Sequence, residues 1–211
     1  MKLTTLIKKA ESGDVHAQNE LGMAYYHGER GLQDNKEKAF YWFMKAAKQG
    51  FALAQYNVGN YYHFGKGVPQ NYEEAFKWYK KAARKEHNGA IYNLGVMYHE
   101  GLWVKKNNRV AFRYFLKAAQ SGYVDAQNAV GFYYNGFGRV KRINYQKVVQ
   151  WYIKSFETDG RQETAQLIGI LYEKGRPKLK PNSKEAEKWY EVAKNEKALE
   201  RVRAKMTEIN I

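Results

Sequence analysis

The 211-residue sequence predicts an all-α solenoid of about five stacked helical hairpins. A large aromatic recurs as Trp42, Trp78, Tyr114, Trp151 and Trp189, at steps of 36, 36, 37 and 38 residues. Out of phase with it, Gly22, Gly59, Gly95, Gly131 and Gly169 follow one another at steps of 37, 36, 36 and 38. Only three prolines interrupt the chain, which leaves room for long regular segments. Independent positions that share one period mark repeats of a single supersecondary unit.

Each period holds two helices. In the first, Ala54, Val58 and Tyr62 fall at i, i+4 and i+8, one face of a helix. The same helix carries the repeated Gly, an aliphatic residue just before it (Leu21, Val58, Leu94, Val130, Ile168) and a tyrosine three residues beyond it (Tyr25, Tyr62, Tyr98, Tyr134, Tyr172). Gly65-Lys66-Gly67 stops the helix, as glycine does at a C-terminus. The second helix starts at an Asn seven residues before the repeated aromatic: Asn35, Asn71, Asn107, Asn144 and Asn182. Its side-chain oxygen is suited to accept an orphan backbone N–H. Glu74 and Glu185 stand three residues after Asn71 and Asn182, the spacing of a capping box. Ala75, Trp78 and Ala82 then form the buried stripe.

Residue size explains the pattern. Antiparallel helices approach closely where Gly or Ala faces the partner, and Trp and Tyr fill the space that remains. One hairpin cannot bury both of its faces, so neighbours stack. Residues 2–12 read as a lone second-helix half closing the N-terminal end. Residues 1–195 are expected to form the tandem array and 196–211 a capping helix, with Ala198, Leu199, Val202, Met206 and Ile209 on one apolar face.

These residues resemble the Sel-one-like repeat family, short relatives of the tetratricopeptide repeat. The second repeat matches the family pattern best, through Ala54, Val58, Gly59, Tyr62, Gly65, Gly67 and Val68, then Ala75, Trp78, Tyr79, Lys81, Ala82 and Ala83. The fourth departs from it at Ser155-Phe156, the third at Tyr114-Phe115, and the fifth carries a longer loop over residues 175–181. The resemblance implies a right-handed α/α superhelix with helical caps at both ends. It also implies a protein-interaction platform, an adaptor or scaffold. A narrower implied role is an immunity protein that neutralises a co-encoded bacterial toxin by direct binding.

Composition narrows the function classes. The chain has no Cys, which excludes disulfides and thiolate metal sites. It shows no signal-peptide pattern and no stretch approaching the roughly 20 apolar residues of a spanning helix. A cytoplasmic location, without membrane insertion, is the expectation. The formal net charge is +15, from 36 Lys and Arg against 21 Asp and Glu. That excess sits mostly in the C-terminal half, which favours an acidic protein partner and leaves nucleic acid as the alternative.

No catalytic constellation emerges, and neither an enzymatic activity nor a cofactor is expected. His63 and His99 occupy equivalent places one repeat apart, too far to share a metal. Gly65-Lys66-Gly67 and Gly136-Phe137-Gly138 follow helices rather than strands, so they lack the setting of a phosphate loop. Glu73 and Glu74 lie in a first helical turn, where acids offset the dipole.

The first helix of each hairpin is expected to line the concave groove. Positions −3, +1 and +4 from each repeat Gly give Asn19, Met23 and Tyr26; Tyr56, Asn60 and His63; Tyr92, Val96 and His99; Asn128, Phe132 and Asn135; Gln166, Ile170 and Glu173. Aromatic anchors among adaptable amides suit protein recognition. The inter-helix loops carry Lys105, Lys106 and Arg109; Arg139, Lys141 and Arg142; and Arg176, Lys178 and Lys180, expected to align as a basic rim that steers an acidic partner. A monomer is expected.

Overall fold

The repeated asparagine opens the second helix of a hairpin in the manner its chemistry requires. In a computed structural model describing residues 2–134, 145–175 and 179–209, the Oδ1 of Asn35 accepts from the Lys38 N–H at 2.7 Å. Asn71 does the same for Glu74 at 3.0 Å, and Asn182 for Glu185 at 3.1 Å. The N–H of four of the repeated asparagines is held as well. Asn35, Asn71, Asn107 and Asn182 donate to the carbonyls of Tyr25, Tyr62, Tyr98 and Tyr172 at 2.8–2.9 Å. The start of one helix is thus tied to the end of the one before it. Gly65, at φ +64°, terminates the first helix in a left-handed conformation that a Cβ would strain.

The helices run α1 (Leu3–Glu11), α2 (Val15–His27), α3 (Lys36–Lys48), α4 (Ala52–Phe64), α5 (Tyr72–Arg84), α6 (Asn88–Glu100), α7 (Asn108–Gln120), α8 (Val124–Tyr134), α9 (Tyr145–Asp159), α10 (Gln162–Lys174), α11 (Ser183–Val192) and α12 (Glu196–Ile209). Among the described residues there is no β-strand, in agreement with the predicted all-α class. The chain divides into two units, residues 1–107 and 108–211. In the first, α1 to α6 pack as successive antiparallel neighbours; in the second, α7 to α12 do the same.

Two adjacent aromatics divide the packing. The residue after the repeated Trp or Tyr (Phe43, Tyr79, Phe115, Tyr152 or Tyr190) is buried in every repeat. In four repeats its ring lies on the repeat Gly of its own hairpin. A Cβ added at Gly22, Gly59, Gly131 or Gly169 would sit 2.5–2.7 Å from the ring of Phe43, Tyr79, Tyr152 or Tyr190. The preceding aromatic is turned about 100° around the helix, and in two repeats it is seen to serve the stacking of hairpins. Trp78 joins a cluster of Ala39, Ala46, Ala54 and Val58, which spans α3 and α4; Trp189 joins Val148, Ala165 and Ile168 across α9 and α10.

Buried glutamines add a second link between hairpins. The Nε2 of Gln18 donates to the Ala10 carbonyl at 3.1 Å, Gln55 to Ala47 at 3.2 Å and Gln127 to Ala119 at 3.5 Å. Each acceptor lies in the last turn of the preceding helix, where carbonyls have no intrahelical partner. At the C-terminal end, Ala198 and Val202 of α12 are buried against Ala186 and Tyr190. No helix among the described residues is long and apolar enough to cross a membrane.

Candidate functional site

The first helices of unit 1 bring several of the expected groove residues into polar contacts with their neighbours. Asn57 Nδ2 donates to Asn19 Oδ1 at 3.3 Å, linking α4 to α2. Asn93 Nδ2 donates to Asn60 Oδ1 at 3.1 Å, linking α6 to α4. The Tyr79 hydroxyl donates to the same Asn60 oxygen at 2.8 Å. Tyr56 stacks on His87 with ring centroids 4.5 Å apart and planes at 26°. Gly89 admits that stack, since a Cβ there would meet the Tyr56 ring at 3.1 Å. Tyr92 is half-buried.

Tyr26 is clasped by two lysines. Lys66 Nζ donates to its hydroxyl at 2.8 Å, and Lys36 Nζ lies 4.0 Å from its ring centroid while donating to its backbone carbonyl at 2.6 Å. A cavity of about 170 Å³ opens beside it, lined by Met23, Tyr26, Phe43, Asn57, Asn60, Tyr61 and Lys66.

The histidines are structural elements of this face. The His63 ring meets Tyr72 edge-on at 5.4 Å and lies 4.5 Å from Phe64, and its buried Nδ1 has no hydrogen-bond partner among the described residues. His99 is half-buried, with Nε2 3.5 Å from a Glu100 oxygen. His87 caps α6: its Nδ1 accepts from the Ala90 N–H at 3.2 Å. Burial holds the pKa of both His63 and His87 below the ordinary 6.5. Each therefore stays neutral when folded and takes up a proton more readily when unfolded. Their contribution to stability is complete above about pH 6.5 and is lost as pH falls through the lower folded value. Thermal melts at pH 7.5 and 5.0 should show a lower melting temperature at the acid end. His87→Asn, which keeps a capping oxygen and cannot titrate, should flatten that dependence, and an unchanged slope would remove His87 from the account.

In unit 2 the equivalent face is less complete. Asn128 is half-buried and its Oδ1 has no hydrogen-bond partner among the described residues, while Phe132 is 43% exposed. Asn135 lies outside the described residues. Gln166 is exposed and Ile170 half-buried. Glu173 is nearly covered and engaged within the chain, by Arg201 at 2.7 and 2.8 Å and by the Tyr190 hydroxyl at 2.8 Å.

Of the basic loop residues, Lys105 and Lys106 are exposed in unit 1, and Arg109 and Lys180 in unit 2. Arg139, Lys141, Arg142, Arg176 and Lys178 lie outside the described residues. The sequence reading missed Asn57, Asn93, Tyr61 and Lys66. Asn57 and Asn93 stand at position −2 of consecutive repeats, so their recurrence at the repeat spacing was a usable signal. Lys66 sits between two glycines in what reads as a mere helix stop. Among the described residues, no group of three or more His, Asp or Glu is placed to hold a metal ion.

The same architecture is found in known proteins. The Sel1 repeat family model matches residues 15–51, 52–87, 89–123, 124–157 and 165–196. The chain belongs to the Sel1 repeat family. Repeats of this family are generally protein-interaction modules. Among solved structures, a protective antigen of uropathogenic Escherichia coli strains that displays an SLR fold is 36% identical, with a TM-score of 0.85. The match covers 93% of this chain and 41% of the antigen, so this chain spans well under half of that protein's length. A Sel1 repeat protein from Oxalobacter formigenes is 29% identical with a TM-score of 0.81, covering 92% of this chain and 78% of that one. An immunity protein from Pseudomonas aeruginosa is 22% identical with a TM-score of 0.57, covering 92% of this chain and 72% of that one; that likeness is one of fold. No curated protein matches the chain in sequence.

Proposed function

We propose that this Sel1 repeat chain is an adaptor that engages an acidic protein partner through the first-helix face of its hairpins, from Asn19 and Tyr26 across Tyr56 and Asn60 to Tyr92. The observation that carries this reading is the set of amide–amide and tyrosine–amide contacts on that face of unit 1. Its side chains are held by one another, as Asn60 is by Tyr79 and Asn93. Groups already fixed lose little freedom on binding, which leaves more of their interaction energy as affinity. The net charge of +15 adds long-range attraction toward an acidic surface. Neutralising a toxin is a narrower form of the same reading, and the fold shared with an immunity protein supports it.

The test is quantitative capture of proteins from the native host on the immobilised full chain. Tyr56→Ala/Tyr92→Ala should weaken capture of a specific protein at least tenfold while the far-ultraviolet spectrum stays helical, as loss of two aromatic anchors requires. A partner retained at undiminished affinity by that variant would sink the reading. So would salt-sensitive retention of RNA in place of any protein.

A further inference from the structure

The cavity beside Tyr26 has a chemistry of its own. Its polar groups are mostly donors; the exception is Asn57, whose NH₂ is given to Asn19 and whose amide oxygen is left as an acceptor. Lys66 has three ammonium hydrogens and uses one on the Tyr26 hydroxyl at 2.8 Å; among the described residues it has no carboxylate partner. The Tyr26 oxygen, having accepted that bond, keeps its own proton to give. Asn60 has its carbonyl oxygen occupied by Tyr79 and Asn93, so its NH₂ is the part left to donate. Tyr61 is 3% exposed, borders the cavity, and its buried hydroxyl makes no hydrogen bond among the described residues. An orphan buried hydroxyl costs about 1–3 kcal/mol, so such groups are normally satisfied by something. Burial raises the Tyr61 pKa further above its ordinary 10.0, which keeps that hydroxyl a donor.

No acid lines the cavity. Of the two acids felt electrostatically at Tyr61, Asp34 is paired with Lys36 at 2.8 Å and Glu37 is exposed in the first turn of α3. Met23 and Phe43 supply apolar walls. A site with one cation, several neutral donors and no anion complements a carboxylate, which offers about four acceptor positions and forms strong charge-assisted bonds. Size excludes much more than that. The volume of about 170 Å³ falls below the roughly 300–1,000 Å³ of pockets that enclose a whole small-molecule ligand, so it suits the end of a chain or of a side chain.

We propose that this cavity seats one carboxylate presented by the protein partner, either an acidic side chain or a C-terminus, between Lys66, Tyr26, Tyr61 and Asn60. The inference rests on the interaction reading above and gives it a specific anchor point.

The test is a nuclear magnetic resonance titration of the isotope-labelled full chain with three blocked tripeptides. One has a central glutamate and an amidated end, one a central glutamine and an amidated end, and one a central glutamine and a free C-terminal carboxylate. Saturable shifts of the Asn57 and Asn60 side-chain amides and the Met23 methyl are expected with the glutamate peptide, the free-ended peptide or both, which also identifies the source of the carboxylate. Lys66→Gln should weaken that binding at least tenfold. Tyr61→Phe removes only an unpartnered hydroxyl, so it should weaken binding several-fold without lowering the melting temperature. The proposal is overturned if the amidated glutamine peptide binds as well, if free acetate binds as tightly as the peptides, if nothing saturates, or if Lys66→Gln binds like the wild type. Peptide binding that survives while the capture experiment fails leaves this site standing and removes the adaptor reading. Capture that succeeds with no peptide binding does the reverse.

Discussion

Tyr79→Ala is expected to destabilise unit 1 by about 3–5 kcal/mol, the range for truncating a fully buried aromatic. Tyr79 is 0% exposed, its ring covers Gly59, and its hydroxyl anchors Asn60 at 2.8 Å. Domains are commonly stable by only about 5–15 kcal/mol, so this loss should appear as a large drop in the urea midpoint. The companion substitution gives the contact its sign. Gly59→Ala would place a methyl 2.5 Å from the Tyr79 ring. Relief of the helical glycine is worth about 1 kcal/mol, and overpacking costs about 1–3 kcal/mol, so the change should destabilise the wild type. In the Tyr79→Ala background the obstacle is gone, and the same change should stabilise by about 1 kcal/mol. A double-mutant cycle read by denaturation measures that reversal. If Gly59→Ala stabilises both backgrounds equally, close approach does not explain the repeated glycine.

The repeat glycines, asparagines and alanines were legible because each answers a local backbone demand that recurs at one spacing. Asn71 must cap a helix wherever that helix begins, and Gly59 must admit a ring wherever two helices cross. The division of labour between neighbouring aromatics was less legible. Trp78 marks the period more visibly, yet Tyr79 is the more deeply buried of the two, at 0% against 8% exposure. Residues about 100° apart on a helix can both face apolar surroundings, and spacing alone does not say which surface is nearer. Gln18, Gln55 and Gln127 were passed over because a polar residue in an amphipathic pattern reads as solvent-facing. Their burial follows from a partner eight residues earlier in sequence, a carbonyl at the end of the previous helix. At the candidate site, periodicity placed Asn60 and Tyr26 but could not show that Lys66 folds back from its loop onto Tyr26, a contact 40 residues apart.

Glu173 marks the other limit, because what settles its role lies outside the repeat. Its position matches that of the residues expected to line the groove in earlier hairpins, but its side chain is only 6% exposed and is gripped by Arg201 from α12. The two nitrogens of Arg201 reach the carboxylate at 2.7 and 2.8 Å, and the Tyr190 hydroxyl adds a third bond at 2.8 Å. Removing the cation leaves a buried carboxylate without its counter-charge, which costs about 3–5 kcal/mol for a fully enclosed pair. Arg201 is half exposed, so water replaces part of what it supplied, and Arg201→Leu should cost about 2 kcal/mol. The loss should concentrate at the end of the chain, as faster amide hydrogen exchange in α12 and around Tyr190. Glu173→Gln removes the charge that needs compensation and retains an acceptor for Tyr190, so it should cost less than Arg201→Leu. Adding it to Arg201→Leu should recover part of the loss. Equal and additive effects would mean that α12 is held by Ala198 and Val202 alone, with the ion pair contributing nothing to closing this end of the repeat array.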